Sequence, residues 1–349
     1  MTTFRVATGA DDALLRSILR DNGMPGWVEM AIQREPSFFA AADLFGRDWA
    51  VIAEEAGDVI GMYTAAVVPV HVDGRPERIG YLGGLRVRPA YRRRIRHLRE
   101  GYASIRPLAP SAGTRPWWFT VVAAENENAR RLLEAGVRGL PPYHAQGDYV
   151  TFALPVSRGR RRELWRAAGV NDIAAIIAFY NGLAARFQYS PVLDADLINR
   201  IGIAHFYMYE SDGNLQGLAA LWDQRAFKQI VARRYRQPLR ALLPAYNACA
   251  RLLRRIPLPD EGGALDQTFI AFLALSEPAL GDARELVEDL LSHCQTSTAS
   301  VGLCAAHPLI PVVKRFKPIS YPARVYAVSF DGTPPPPNGR PAQPEAALL

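Results

Sequence analysis

The sequence predicts an α+β fold built twice, each copy a mixed, mostly antiparallel sheet flanked by helices. Three observations carry this reading. Both halves present one order of elements: a short strand, an acidic helix start, an apolar helical run and a hairpin. The hairpins correspond in sequence, since Gly57 and Gly61 precede Gly213 and Gly217 by 156 residues, a spacing that means domain duplication rather than a solenoid. Beyond the hairpins, strands alternate with helices, which requires a mixed sheet with helices over its faces.

The elements follow in order. Asp11 and Asp12 cap a helix carrying Leu14, Leu15, Ile18 and Leu19, and Asn171 and Asp172 cap its counterpart carrying Ile173, Ile176, Ile177 and Tyr180. The alternating stretches around Gly57-Asp58 and Gly213-Asn214 are hairpins. The first half continues as strand 78–87, helix 92–106, strand 117–123, helix 126–135 and strand 148–154. The second inserts a helical segment over 226–256, then strand 267–275, helix 283–294 and strands 299–304 and 322–330. The divisions expected are a first domain at 1–155, a basic linker at 156–163, a second domain at 164–330 and a disordered Pro-rich tail at 331–349.

Composition excludes several classes. At 349 residues, 49% hydrophobic and 21% charged, the chain is too apolar for disorder and long enough for two cores. Three cysteines (Cys249, Cys294, Cys304) are too few for a disulfide framework, so a cytoplasmic location is expected. No apolar run approaches the 18 or so residues of a membrane span, and the first residues lack a basic-then-apolar leader pattern. No set of side chains has metal-ligand spacing, and no nucleophile elbow is present.

The segment richest in chemistry is Tyr81-Leu-Gly-Gly-Leu-Arg-Val-Arg-Pro-Ala-Tyr-Arg-Arg-Arg-Ile-Arg-His-Leu98. A strand ends at Val87, Pro89 stops it, and a helix is expected from Arg92 with Ile95, Leu98, Tyr102 and Ile105 on one face. Such a strand–turn–helix presents backbone N–H groups at a helix start, which suits phosphate. Leu85, Val87, Pro89 and Arg92, followed by Asn126-x-x-Ala129 after strand 117–123, resemble the acetyl-CoA motifs of the GNAT (N-acetyltransferase) superfamily. The resemblance covers 4–154 in element order and extends to 164–330 as a second copy.

That resemblance implies two GNAT-like domains, and acetyl-CoA as co-substrate of an acyltransferase acting on an amine. It places the pantetheine between splayed strands, with Leu85, Arg86 and Val87 beside the thioester by backbone and Asn126 beside the pantetheine. The phosphates fall to Arg92, Arg93, Arg94, Ile95 and Arg96. His71 and Tyr81 are candidates for the general base by position alone. Two features depart from the family: Ile95 and His97 stand where it has glycines, and Leu133 where it often has a proton-donating tyrosine. They support an alternative, a catalytically inactive tandem GNAT scaffold used for binding or regulation.

Charge sharpens the cofactor expectation. The chain is +7, and only Lys228, Lys314 and Lys317 are lysines. Residues 86–106 alone hold eight arginines against Glu100. Cations at a helix start oppose its dipole by roughly 0.3–1 kcal/mol each, and a bound anion reverses that sign. Few aromatics are interleaved, so nucleic acid is a poor partner. In the second half Asp282, Glu285 and Glu288 crowd the matching helix start and repel phosphate, so that half is read as degenerate, a wall of the acceptor site or a homodimer surface. Residues 240–255 read as a basic amphipathic helix, open to packing on its own domain, to a membrane surface or to a partner. The acceptor, a small-molecule or peptide amine, is not specified by any motif.

Overall fold

The computed structural model describes all residues except 1, 25, 43, 45–46, 92–93, 106, 108–114 and 337–338. Fourteen strands are described: β1 (Thr2–Val6), β2 (Val28–Gln33), β3 (Arg47–Glu55), β4 (Asp58–Val72), β5 (Arg75–Val87), β6 (Trp117–Ala123) and β7 (Tyr143–Pro155) in the first half, and β8 (Trp165–Ala167), β9 (Phe206–Ser211), β10 (Asn214–Trp222), β11 (Gln229–Tyr235), β12 (Gln267–Leu275), β13 (Thr298–Cys304) and β14 (Ile319–Ser329) in the second. The helices are α1 (Asp12–Asp21), α2 (Ile95–Ile105), α3 (Glu127–Glu134), α4 (Ile173–Ala184), α5 (Ala195–Ile201), α6 (Leu239–Leu252), α7 (Ala283–Ser292) and α8 (Ile310–Lys314).

Twelve strands form one sheet in the order β1-β3-β4-β5-β6-β14-β7-β13-β12-β10-β9-β8. That order mirrors about its centre: β1 answers β8, β3 answers β9, β4 answers β10, β5 answers β12, β6 answers β13, and β14 answers β7. The two last strands are exchanged. β14 pairs antiparallel with β6 of the first half, β7 pairs antiparallel with β13 of the second, and the two pair with each other. The boundary at 155 is therefore a division in sequence and not in space. All neighbouring strands run antiparallel except β5 with β6 and β12 with β13.

Duplication is also written in side chains. Arg5 on β1 makes two hydrogen bonds to Asp11, of 2.7 and 2.8 Å, and pairs with Glu54 on β3. Arg166 on β8 does the same with Asp172, at 2.8 and 3.0 Å, and with Glu210 on β9. Each aspartate also accepts a backbone N–H three residues before it, from Thr8 or Gly169, and so fixes the entry into α1 or α4. The guanidinium and that N–H hold Asp172 down to about 2 and Asp11 further below the carboxylate range.

Three hairpin turns share one backbone solution. Ala56-Gly57, Asp73-Gly74 and Asp212-Gly213 all have positive φ at both positions, the type I′ geometry that matches strand twist. Alternation then sends side chains to two faces. Leu15, Ile18, Ile52 and Met62 pack under α1, and Ile176, Phe206, Leu218 and Val325 pack under α4 on the same side. Tyr63, Leu82, Ile105 and Trp118 pack under α2, and Leu221, Leu286, Leu290 and Val301 pack under α7 on the other. Each fully buried side chain of this size contributes about 1.5–3 kcal/mol of transfer free energy. Gly80 is required by this packing, because a Cβ there would lie 1.8 Å from the Trp118 ring.

The linker is ordered by one carboxylate. Asp289, fully buried on α7, accepts from the backbone N–H of Arg162, Leu164 and Trp165. Burial opposes its ionisation, but those donors prevail and hold its pKa below the usual value.

Three sequence expectations are corrected. The segment 226–256 is not helical throughout. Residues 229–235 form β11, paired with β2 in a separate two-stranded sheet, and α6 begins only after Pro238. Period-2 alternation beside an available strand edge overrides helix propensity there. The helix expected from Arg92 starts at Ile95, after a 3₁₀ turn at Pro89–Tyr91. The tail is not disordered at its end: Ala342, Ala346 and Ala347 are buried and residues 346–348 form a 3₁₀ turn. Small side chains that cannot build a core can still fill one.

Candidate functional site

The two parallel strand pairs define two clefts. β5 and β6 register only at Tyr81 with Phe119. β12 and β13 register over Gln267, Thr268 and Phe269. Beyond those points no pairing between the strands is described, and each pair opens into a wedge.

Each wedge has a bulge on its inner strand. In the first half Arg86 pairs with Met62 and Gly83 with Thr64, so Gly84 and Leu85 together face Tyr63. In the second, Ala274 pairs with Leu218 and Ala271 with Ala220, so Phe272 and Leu273 face Ala219. The first bulge residue takes positive φ in both: 61° at Gly84 and 52° at Phe272. A bulge re-aims backbone groups and ends pairing, which is what a site for a polar ligand between strands needs.

The second wedge is filled. Gln343 lies against β13, donating to the Gly302 carbonyl at 2.8 Å and accepting from Cys304 N–H at 2.6 Å. Glu345 lies against β12 and accepts from Phe272 N–H at 2.8 Å. Tyr149 donates to the Pro344 carbonyl and Gln224 to that of Ala347. The Phe272 ring packs on Tyr180 and Phe206. Beside this plug, α4, β12 and His307 enclose a cavity of about 290 Å³ lined by Phe187, Leu275, Leu280 and Glu345 among others.

In the first wedge the described side-chain link between the two strands is Thr120, whose hydroxyl donates to the Leu82 carbonyl at 2.7 Å. Leu85 is 48% exposed on the bulge. Behind the point of divergence Tyr81, Phe119 and Tyr189 stack in sequence, with centroids 5.0 and 4.9 Å apart. The Tyr81 ring lies along the strand, so that a Cβ on Gly83 would sit 3.2 Å from its hydroxyl. The hydroxyl is thereby set over Gly83, next to the bulge. Burial pushes its pKa up to about 12, against the pull of Arg34 and Arg86, so it is a proton donor near neutrality rather than a base.

The structure brings some of the expected site residues together and not others. Tyr81, Leu85, Arg86 and Val87 share one wedge, and the Arg86 guanidinium donates to the Leu85 carbonyl. Arg92 and Arg93 lie outside the described residues. Arg94 and Arg96 both pair with Glu55, at the end of β3, and Arg96 also lies 3.7 Å from Glu100. Ile95 opens α2, and His97 turns inward, buried, with Nδ1 2.9 Å from the Thr2 hydroxyl. Asn126 caps α3 by accepting from Ala129 N–H. His71 is not at the wedge: it sits opposite Pro76, about 17 Å along β5 from Tyr81 at strand rise, with its ring against the Ser190 carbonyl. Burial lowers its pKa.

Sequence reasoning missed a buried titratable pair. Lys228, pushed down to about 7 by burial, donates to the Leu349 carbonyl, and Glu345 is raised to about 7 by the same cause. The Arg34 charge lowers the pKa of both Lys228 and Tyr81, in each case as a smaller effect than burial. Only the placement of a rare lysine between apolar Phe227 and Ile230 could have pointed to it. No group of three or more metal-ligating side chains occurs among the described residues.

No family model matches the sequence. No curated protein matches it either. Solved structures do. N-myristoyltransferase of Saccharomyces cerevisiae with bound myristoyl-CoA is 10% identical, superposes with a TM-score of 0.61, and is covered over 82% of its chain by 94% of this one. A GCN5-related N-acetyltransferase from Anabaena variabilis ATCC 29413 gives 10%, 0.53, 72% and 94%. A conserved protein of Enterococcus faecalis V583, described as a probable N-acyltransferase, gives 10%, 0.51, 73% and 94%. At such identity the likeness speaks for the fold alone, and over nearly the whole length of the chain that fold is the GNAT type in tandem.

Proposed function

We propose that this protein is an acyl-CoA-dependent N-acyltransferase working at the β5/β6 wedge, with acetyl-CoA as donor and a small-molecule or peptide amine as acceptor. The observation that carries the reading is the contrast of twins: at one position a glycine bulge with an exposed Leu85 beside it, at the other a phenylalanine bulge beside a plug. The names of the structural neighbours, all N-acyl- or N-acetyltransferases, support the reaction class.

In this reading the acceptor amine attacks the thioester carbonyl, a C–N bond forms, the C–S bond breaks and the thiolate takes a proton. Backbone groups within Leu85 to Val87 would lie beside the thioester, and a donor there aimed at the developing oxyanion would be of the kind worth about 3–4 kcal/mol. The protonated Tyr81 hydroxyl is placed to donate to the departing sulfur, the role the family resemblance left empty at Leu133. The aromatic stack behind the wedge favours a short acyl group. The second half supplies structure rather than a second thioester site.

One observation favours a different use of the same fold. Glu55 already neutralises two of the arginines assigned to the cofactor phosphates. A scaffold that no longer binds CoA would look like this, and a binding or regulatory role would follow. Calorimetric titration with acetyl-CoA, and with longer acyl-CoAs in parallel, separates the two. Saturable binding, with turnover that falls at least tenfold in Tyr81→Phe, supports the enzyme. Absence of heat at millimolar cofactor leaves the scaffold.

A further inference from the structure

The helix α6 packs on only half of its surface. Leu239, Leu243 and Ala250 face β11 and close a small core with Ala232 and Tyr235. The opposite side carries an apolar stripe at helical spacing: Leu242, Ala245, Cys249 and the pair Leu252 and Leu253. Leu242 is 55% exposed, Leu252 83% and Leu253 61%. Trp27, 68% exposed, adjoins the lead-in to the helix, where its carbonyl accepts from Arg236 N–H. These are four of the eight large hydrophobic side chains that are exposed among the described residues. Half the chain's exposed apolar bulk is thus gathered about one element, which marks an interaction surface rather than scatter.

Basic residues outnumber acidic ones around the stripe, where Glu29 takes up Arg233 at 3.2 Å. Between Asp223 and Asp260 the chain has nine basic residues and no acidic one. Arg234 and Arg240 meet Glu29 and Glu261 only at 3.8 and 3.4 Å. Arg236, Arg254 and Arg255 have no acidic partner among the described residues; the last two donate instead to carbonyls of Ser157 and Lys317. With Arg225, Arg233, Arg234 and Arg240 near carboxylates and Lys228 buried, the positive excess among the described side chains rests on Arg236, Arg254 and Arg255.

We propose that α6 and Trp27 form a docking face for an anionic lipid surface, with the leucines and the indole entering the acyl boundary and the arginines meeting headgroup phosphates. Two features select lipid over protein. The apolar element is a convex ridge, which a fluid bilayer can wrap but a folded partner must match with a groove. A second copy of this chain in a two-fold dimer would set the same arginines against themselves. Basic side chains near exposed leucines on one helix, with a tryptophan on the adjoining strand entry, suit an interfacial attachment. No helix here is long and apolar enough to cross a membrane, so the attachment would be peripheral. The inference stands whether or not the β5/β6 wedge transfers an acyl group.

The test is co-sedimentation of the full chain with phosphatidylcholine vesicles, with and without phosphatidylglycerol. Binding is expected only with the anionic lipid, weakening as salt rises. Tryptophan fluorescence should shift to the blue on binding, and Trp27→Phe should remove most of the shift. The double variant Leu252→Asp, Leu253→Asp should lose at least tenfold in partitioning, and because both side chains are exposed its thermal unfolding should match the parent. Failure to bind anionic vesicles overturns the proposal, as does full binding by the double variant. A lipid-free dimer that this variant converts to monomer assigns the face to self-association instead.

Discussion

The β5/β6 and β12/β13 wedges share topology, bulge position and strand direction, yet among the described residues a plug from the chain's own tail is seen at β12/β13. At β12/β13, Gln343 and Glu345 supply hydrogen bonds that a substrate would otherwise make, and Phe272 fills the space. At β5/β6, Gly84 contributes no side chain and Thr120 spans a single carbonyl. The difference teaches that duplication copies a site's geometry first and its use second. A splayed sheet leaves polar backbone that must be paired, and one copy pairs it with protein.

The largest effect should come from unplugging the filled wedge. Gln343→Ala removes the partners of Gly302 C=O and Cys304 N–H at once. Buried groups left unpaired cost about 1–3 kcal/mol each, so a loss of about 2–5 kcal/mol is expected in urea unfolding. A loss near zero would mean that water replaces the amide and that the plug is ornamental.

The plug should also make stability depend on pH in an unusual way. Glu345 is raised from 4.5 to about 7, so its contribution is complete below pH 4.5 and is lost as pH climbs to 7. Lys228 is lowered from 10.5 to about 7, so its contribution is complete above pH 10.5 and is lost as pH falls to 7. The two together place a stability minimum near pH 7, with upper bounds of about 3 kcal/mol for the acid limb and about 5 kcal/mol for the alkaline one. Glu345→Gln should flatten the acid limb and Lys228→Met the alkaline one. Unfolding midpoints that follow the parent's profile in both variants would remove this pair from the account.

Legibility in the sequence followed the range of the interaction. The hairpin glycines at 57 and 213, strands 117–123 and 267–275, and the duplication itself rest on local pattern, and each stands where the pattern put it. The exchange of β7 and β14 was not legible, because alternation along a strand says which face is buried but not which neighbour it finds. The tail was misread for the same reason: alanines and prolines lack the composition of a core, yet Ala346 and Ala347 fill a space that other elements create. At the candidate site the strand carrying Tyr81 to Val87 was visible from its motif. Glu55, which takes up Arg94 and Arg96, lies some forty residues earlier at the β3–β4 hairpin, a partner that no local pattern around the arginines announces. Lys228 was counted only as a rare lysine, because burial, the main cause of its perturbed charge, is set by the fold and not by neighbouring sequence.

A milder comparison breaks the open wedge. Thr120→Val keeps the shape and removes the one side-chain bond to Leu82 C=O. The bond is buried and a single carbonyl loses its partner, so about 1–3 kcal/mol is expected, below the cost at Gln343, where two groups lose theirs. Equal costs at the two positions would show that both wedges are equally closed.

The smallest effect is the most informative about ligands. Glu55 binds Arg94 and Arg96 on a surface where both guanidinium groups are more than half exposed. Such pairs contribute about 0–1 kcal/mol to stability, so Glu55→Gln should barely change the unfolding midpoint. Its consequence for an anion should be larger in proportion. If CoA binds as proposed, its pyrophosphate would compete in the parent with the carboxylate for the same two side chains and be repelled by it. Removing that charge while keeping the side-chain shape should tighten acetyl-CoA binding about three- to tenfold, roughly 0.7–1.4 kcal/mol. The gain should shrink as salt rises, since the arginines are exposed. Calorimetry on both proteins at two ionic strengths reads the change directly. Unchanged affinity would place the phosphates away from the start of α2. Absence of binding in both proteins would set the open wedge beside its filled twin, as a fold retained without its cofactor.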